Sequence, residues 1–225
     1  GHLKLCKVVA FRYNDREKKP LAYLEFPHLM KKILFAANLD ARSDRALDRA
    51  LMLSAAHSAE LLILHVTESA VRPGNDAALA EMKRSIQQSD AIAAAAKAYV
   101  KTKIAYGTPA REIVAEAIAF EADLVIMGLG RDFSMGRLVG GTIVEKVIAG
   151  TDLPMLIVKE RPNSVYENCV VAFDESTGAR LALETVFGLA PGAMVTVVNA
   201  VEEKNPQGRT IANKEDLVQG YTQQI

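Results

Sequence analysis

Residues 127–142 read Met127-Gly128-Leu129-Gly130-Arg131-Asp132-Phe133-Ser134-Met135-Gly136-Arg137-Leu138-Val139-Gly140-Gly141-Thr142 and lie between a strand pattern, ADLVIMG, and a helix pattern, GTIVEKVIAG. The chemistry this run suits is phosphate binding. Glycines admit a ligand close to the main chain, and amides at a helix start, with the helix's positive end behind them, hold phosphate oxygens. Thr142 adds a hydroxyl donor, and Arg131 and Arg137 carry charge that can neutralise phosphate. The same glycines also suit a plain flexible turn with tight helix packing. The run is not a Walker A loop, since no Gly-Lys-Ser/Thr closes it, and it is not a GxGxxG following the first strand.

The other polar residues point to structure first. His65 sits in an apolar strand pattern and reads as a hydrogen-bonded interior or interface residue; His28 and His57 belong to no pattern. Ser43 and Asp44 read as helix caps, and Asp40 as a solvated or capping acid, with metal contact through bound phosphates as the alternative for the two acids. Asp174 reads as a turn or cap residue against a ligand role. Cys6 and Cys169 are far from CxxC spacing and read as structural thiols. No Ser-His-Asp arrangement and no protein-held metal site emerges, so no catalytic residue is assigned, and weak ATP hydrolysis is left open.

These residues need a scaffold. KKILFAAN is a compact apolar strand, and SDRALDRALMLSAAHSAE is a helix with Ala46, Leu47, Ala50, Leu51 and Ser54 on its narrow face. LLILHV reads as a central parallel strand covered on both faces. After VRPGND, residues 77–100 return to helical spacing. KTKIAYG suits a sheet edge, and Thr108 as cap with Pro109 opens a helix carrying Ile113, Val114, Ala117 and Ile118. ADLVIMG and LPMLIVK complete five strands, with four helices, over residues 31–159. The fold class expected is α/β: an open, mostly parallel five-stranded sheet with helices on both faces. Its ligand edge is the carboxyl ends of the strands. CVVAFDESTGARLALETVFGLAPGAMVTVVNA repeats the opening strand, turn, helix and strand, giving an incomplete α/β repeat over 168–225 whose tail reads as turns plus a short helix. Residues 1–29 form an extension, with KVVAFR and LAYLEF as a candidate β-hairpin.

The 225 residues carry 27 basic and 27 acidic side chains. That balance removes the compositional argument for a nucleic-acid binder. No apolar stretch approaches the roughly 20 residues that cross a bilayer, and the opening residues lack a signal core. A soluble, cytoplasmic protein without membrane insertion is expected.

The ensemble KKILFAAN, LLILHV, GTPAREIV, ADLVIMG, GGTIVEKV and LPMLIVK resembles the universal stress protein family, whose nucleotide-binding members close a GxxG turn with a later Gly-Ser/Thr pair. The resemblance implies an adenine-nucleotide site. Gly128 would be the first loop glycine, Gly141 and Thr142 the closing pair, and Val66 and Met127 would lie beside base or ribose. Ala37 and Asn38 would lie at the end of the first strand, Asn38 where the family usually has an Asp. Arg131 stands at the second loop glycine, and Gly130 compensates by a one-residue shift. Two readings follow: Arg131 adds a phosphate contact, or its side chain fills an empty, degenerate site in a structural or signalling dimer. The resemblance further implies ATP or AMP as ligand, magnesium carried by the phosphates if ATP is bound, a homo-oligomer, most simply a dimer joined near MLIV, and an unidentified signalling partner.

Overall fold

The computed structural model describes residues 30–38, 43–67, 80, 84, 99–128, 141–174, 176–199 and 219–223. These fall into two compact units, 30–165 and 166–223. The first runs β1 (Lys32–Ala37), α1 (Ser43–His57), β2 (Glu60–Thr67), β3 (Val100–Tyr106), α2 (Pro109–Phe120), β4 (Leu124–Gly128), α3 (Ile143–Gly150) and β5 (Met155–Val158). Its five strands are all parallel, in the order β3-β2-β1-β4-β5.

The apolar run of β1 dictates this arrangement. Ile33, Leu34 and Phe35 alternate across the sheet, yet all three are buried, so both faces must be covered. On one side α1 contributes Ala46, Leu47, Ala50 and Leu51, all buried as the helical spacing requires. Ser54 is buried among them because its hydroxyl donates to the Ala59 carbonyl at 2.7 Å. On the other side α2 and α3 bring Ile113, Ala117, Val144 and Val147 onto Leu34, Leu64, Val125 and Met127. The expected edge strand β3 lies at the sheet edge, where Lys101 pairs with Glu60 and Lys103 Nζ lies 2.7 Å from a Glu116 oxygen. Charges of this kind blunt an exposed edge.

Three local expectations are corrected. Ser43 and Asp44 are not flanking caps but the first two residues of α1 itself. Thr108 occupies the N-cap position of α2, but its hydroxyl makes no capping bond. Ile118 is 62% exposed, because the buried stripe of α2 is Ile113 and Ala117 and position 118 has rotated past the sheet. Of the helix expected over 77–100, Ala80 and Arg84 are helical, but its carboxyl end falls short of the expected limit: Tyr99 is in a 3₁₀ turn and Val100 already opens β3. The remaining residues of that span, the candidate hairpin in 1–29, Asp40 and Cys6 lie outside the described residues.

At the amino end of the sheet, one carboxylate ties two strands together. Asp123 Oδ2 accepts the backbone N–H groups of Lys31 (2.7 Å) and Lys32 (2.9 Å), fixing the start of β1 against the start of β4. Beside it Lys32 Nζ donates to Glu121 at 2.6 Å and lies 5.7 Å from the Phe120 ring centre. At the far end of the unit, α1 holds the chain leaving β5. Asp48 pairs with Arg161 at 3.1 Å, and the buried Arg49 donates to the Ser164 carbonyl at 3.0 Å.

The second unit contains β6 (Asn168–Ala172), α4 (Thr177–Leu189), β7 (Met194–Asn199) and β8 (Gln219–Gln223) in a three-stranded sheet ordered β6-β7-β8. β6 and β7 are parallel, and β8 is antiparallel to β7. The tail expected to hold turns and a short helix therefore contributes a strand, since the open edge of β7 supplies main-chain partners for QGYTQ that its own propensity does not reveal. Cys169 is buried in β6. Asp174 accepts from the Ser176 N–H at 3.0 Å, while the Ser176 hydroxyl accepts from Ala179 at 3.1 Å and caps α4.

Two measurements check these ties. Asp123→Ala should lower unfolding stability by about 1–2 kcal/mol in urea denaturation, through loss of two charge-assisted bonds at a solvated site. Asp174 is held below the usual carboxylate range, first by the Ser176 hydroxyl and then by the Ser176 N–H. Its contribution to stability is thus present above the ordinary carboxylate pKa and disappears as pH falls through the depressed value. A carboxylate NMR titration should give a low Asp174 midpoint that rises in Ser176→Ala.

Candidate functional site: a crevice at the end of the central strand

Strand register builds a notch into the carboxyl edge of the first sheet. β1 pairs with β4 only as far as Ala36↔Met127 and with β2 only as far as Ala37↔His65. Its neighbours continue: β2 runs on to Thr67 against Tyr106, and β4 runs to Gly128 against Val158. The chain also changes direction here, since β2 and β3 lie to one side of β1 and β4 and β5 to the other. Such a switch point leaves a crevice outside the strand ends, where ligands of open α/β sheets bind.

The crevice collects most of the residues expected at the site. Ala37 ends β1 and the exposed Asn38 follows it; Val66 stands on β2, and Met127 and Gly128 close β4. Val66 packs on the buried cluster that contains Met127 and Val144, so the apolar side of the crevice is continuous with the core beneath α3. That side suits a flat, weakly polar ring, and the Asn38 amide offers both a donor and an acceptor. Gly130 and Arg131 fall outside the described residues, and Arg137 with them.

Gly141 and Thr142 enter at the head of α3. Gly141 adopts φ +65°, a left-handed conformation that glycine takes without strain, and a Cβ there would come within 3.1 Å of Glu145 Oε2. Thr142 is the N-cap. Its hydroxyl accepts from the Glu145 N–H at 3.2 Å, and its own N–H donates to Glu145 Oε2 at 2.7 Å. This reciprocal capping box qualifies the expectation of open amides: the Thr142 N–H is already engaged by a carboxylate. The Thr142 hydroxyl hydrogen remains able to donate outward, and the first-turn amides of Ile143 and Val144 have no intrahelical acceptor. Glu145 was not singled out from sequence, although Thr142-Ile143-Val144-Glu145 carries the T-x-x-E signature.

His65 makes a contact that periodicity could not reveal. It stands opposite the last residue of β1, and its Nδ1 lies 2.9 Å from the Ala37 carbonyl oxygen. Among the described residues, no group of three or more His, Cys, Asp or Glu side chains is placed to hold a metal ion, and no helix is long and apolar enough to cross a membrane.

The profile of the Universal stress protein family matches residues 30–159, more than half of the chain. The chain belongs to the universal stress protein family. Over 137 residues it is 29% identical to the Thermus aquaticus "universal stress protein in QAH/OAS sulfhydrylase 3'region", an alignment covering 58% of this chain and all of that one. A universal stress protein solved in complex with cAMP is 25% identical, with 57% of this chain and 95% of that chain covered and a TM-score of 0.46. One from Archaeoglobus fulgidus DSM 4304 is 26% identical, with 60% and 46% covered and a TM-score of 0.48. The matched span holds the whole five-stranded sheet, the notch and the capped head of α3.

The capping box carries its own test. Thr142→Ala should cost about 1 kcal/mol of stability in chemical denaturation, Thr142→Ser should be close to neutral, and Glu145→Ala should cost a similar amount to Thr142→Ala, because each alanine removes one of the two reciprocal bonds and leaves the other.

Proposed function

We propose that this chain is an adenine-nucleotide-binding regulatory protein of the stress-response type, which binds its ligand in the crevice above β1 and changes its association with other proteins according to occupancy. The observation that carries the reading is the notch at Ala37-Asn38, flanked by Val66 and by Met127-Gly128, with the capped start of α3 following β4. Membership of a family with nucleotide-binding members supports it. In this reading the base and ribose lie between Val66 and Met127, Asn38 hydrogen-bonds the ribose or base, and the phosphates lie toward Gly128, Gly141, the Thr142 hydroxyl and the first-turn amides of α3.

Each residue fits such a ligand on physical grounds. Glycine at 141 leaves the main chain approachable, and the amino end of α3 presents partial positive charge to an anion. Asn38 lacks the charge of an Asp, so it holds a hydroxyl by neutral bonds and does not repel a phosphate nearby. AMP and ATP are both accommodated by these contacts; with ATP, magnesium would travel on the phosphates, for which this chain is assigned no dedicated ligand set. The function proposed is binding, which requires no hydrolytic step. In this reading self-association would use the outer edge of β5, supported by the position of that strand at the end of the first sheet.

Calorimetry with AMP, and with ATP and magnesium, tests the reading. Saturable binding should appear in the micromolar to millimolar range, weakened in Gly141→Ala and Thr142→Ala but not in Asp123→Ala, which lies at the opposite end of the sheet. Asn38→Asp should tighten ribose recognition severalfold through a charge-assisted bond. Absence of heat and of thermal stabilisation with either nucleotide would overturn the proposal. A sedimentation measurement with and without nucleotide separately tests coupling to association, and an unchanged mass distribution would remove that part.

A further inference from the structure

The His65 contact falls at the one register where β1 has lost its second neighbour. Up to Ala36 the strand is held from both sides; at Ala37 it is held by β2 alone, and Asn38 follows directly. On the same face of β2, the preceding alternate positions are Leu61 and Ile63, both buried and apolar. An imidazole replaces that apolar series at the level where β1 ends, half-buried, with Nδ1 at 2.9 Å from the Ala37 carbonyl. Because a carbonyl only accepts, Nδ1 is the donor in this contact, and in the neutral ring the Nδ1–H tautomer is the one that makes it.

We infer that His65 is a positioning residue for the nucleoside end of the crevice, its Nδ1–H holding the last carbonyl of β1 and so setting where Asn38 stands. The inference rests on the nucleotide reading of this site and adds a residue to it. A strand end held from one side retains freedom about its last backbone dihedrals, and a side-chain bond to the terminal carbonyl removes part of it. Asn38 can meet a ribose hydroxyl or a base edge only if its Cα is placed to within a fraction of an ångström, so the loss of that restraint appears as weaker binding rather than as unfolding. His65 itself touches no ligand in this account.

Three substitutions separate this role from simple packing. His65→Asn places an amide N–H where Nδ1 stood; His65→Gln moves the donor to the Nε2 position; His65→Leu keeps bulk and removes the donor. AMP affinity by calorimetry should stay within about twofold of wild type in His65→Asn and fall roughly three- to tenfold in His65→Gln and His65→Leu, the range one neutral hydrogen bond supplies. Unchanged affinity in His65→Gln, or an equal loss in His65→Asn and His65→Gln, would overturn the inference. A ligand-free readout decides it independently. Imidazole ¹⁵N spectra of the wild type should report the Nδ1–H tautomer at neutral pH, and the Asn38 amide resonance should move in His65→Gln and return in His65→Asn. An Nε2–H tautomer, or an Asn38 amide indifferent to all three changes, contradicts it. If the wild type takes up no AMP, the nucleotide reading fails, while the tautomer and the Asn38 amide still decide whether His65 holds the end of β1.

Discussion

The crevice depends on the burial of β1 from both faces. With Ile33 and Leu34 fully buried and Phe35 at 1% exposure, the strand must be central, must have helices above and below, and must take its neighbours from opposite directions of the chain. Once that is imposed, the notch follows from strand length alone: β2 and β4 extend beyond the pairing limits of β1. The Asp123 carboxylate ties the starts of β1 and β4 together at the opposite end of the sheet, a clasp on which the crevice does not depend.

A chain with 27 basic and 27 acidic residues has no net field to draw an anion in. On the proposed reading, recognition of phosphate would then come from partial charges that are already oriented, such as those at the head of α3. The capping box occupies the Thr142 N–H and the hydroxyl lone pair with Glu145, and thereby holds the first turn of α3 in place. The Glu145 carboxylate also stabilises the helix start in the absence of a ligand. A phosphate bound as proposed would meet a turn already fixed by the capping box, at the cost of a nearby negative charge.

Much of this was legible in the sequence. The apolar runs KKILFAAN and LLILHV are too short for helices and too uniform for half-exposed strands, so they announced a parallel sheet, and the polar alternation of KTKIAYG announced its edge. Other features lay beyond pattern. Helical spacing located the stripe of α2 but not its limit, so Ile118 was included with residues it does not join. The identity of Thr108 marked a helix start without fixing where its hydroxyl points. Gln219–Gln223 became a strand because β7 offered an edge, a decision made by tertiary pairing. The reach of β2 past Ala37 and the His65 contact depend on register, which a one-dimensional pattern does not encode.

The central claim is that one crevice, formed where β1 stops, receives an adenine nucleotide. Its most direct measurement is a ¹H–¹⁵N correlation spectrum of the full chain titrated with AMP. The account predicts saturable shifts concentrated at Asn38, Val66, Gly128 and Thr142, with the amides of Lys31 and Lys32, at the opposite end of the sheet, unmoved. Shifts absent at saturating AMP, or centred away from the carboxyl ends of β1, β2 and β4, would contradict it.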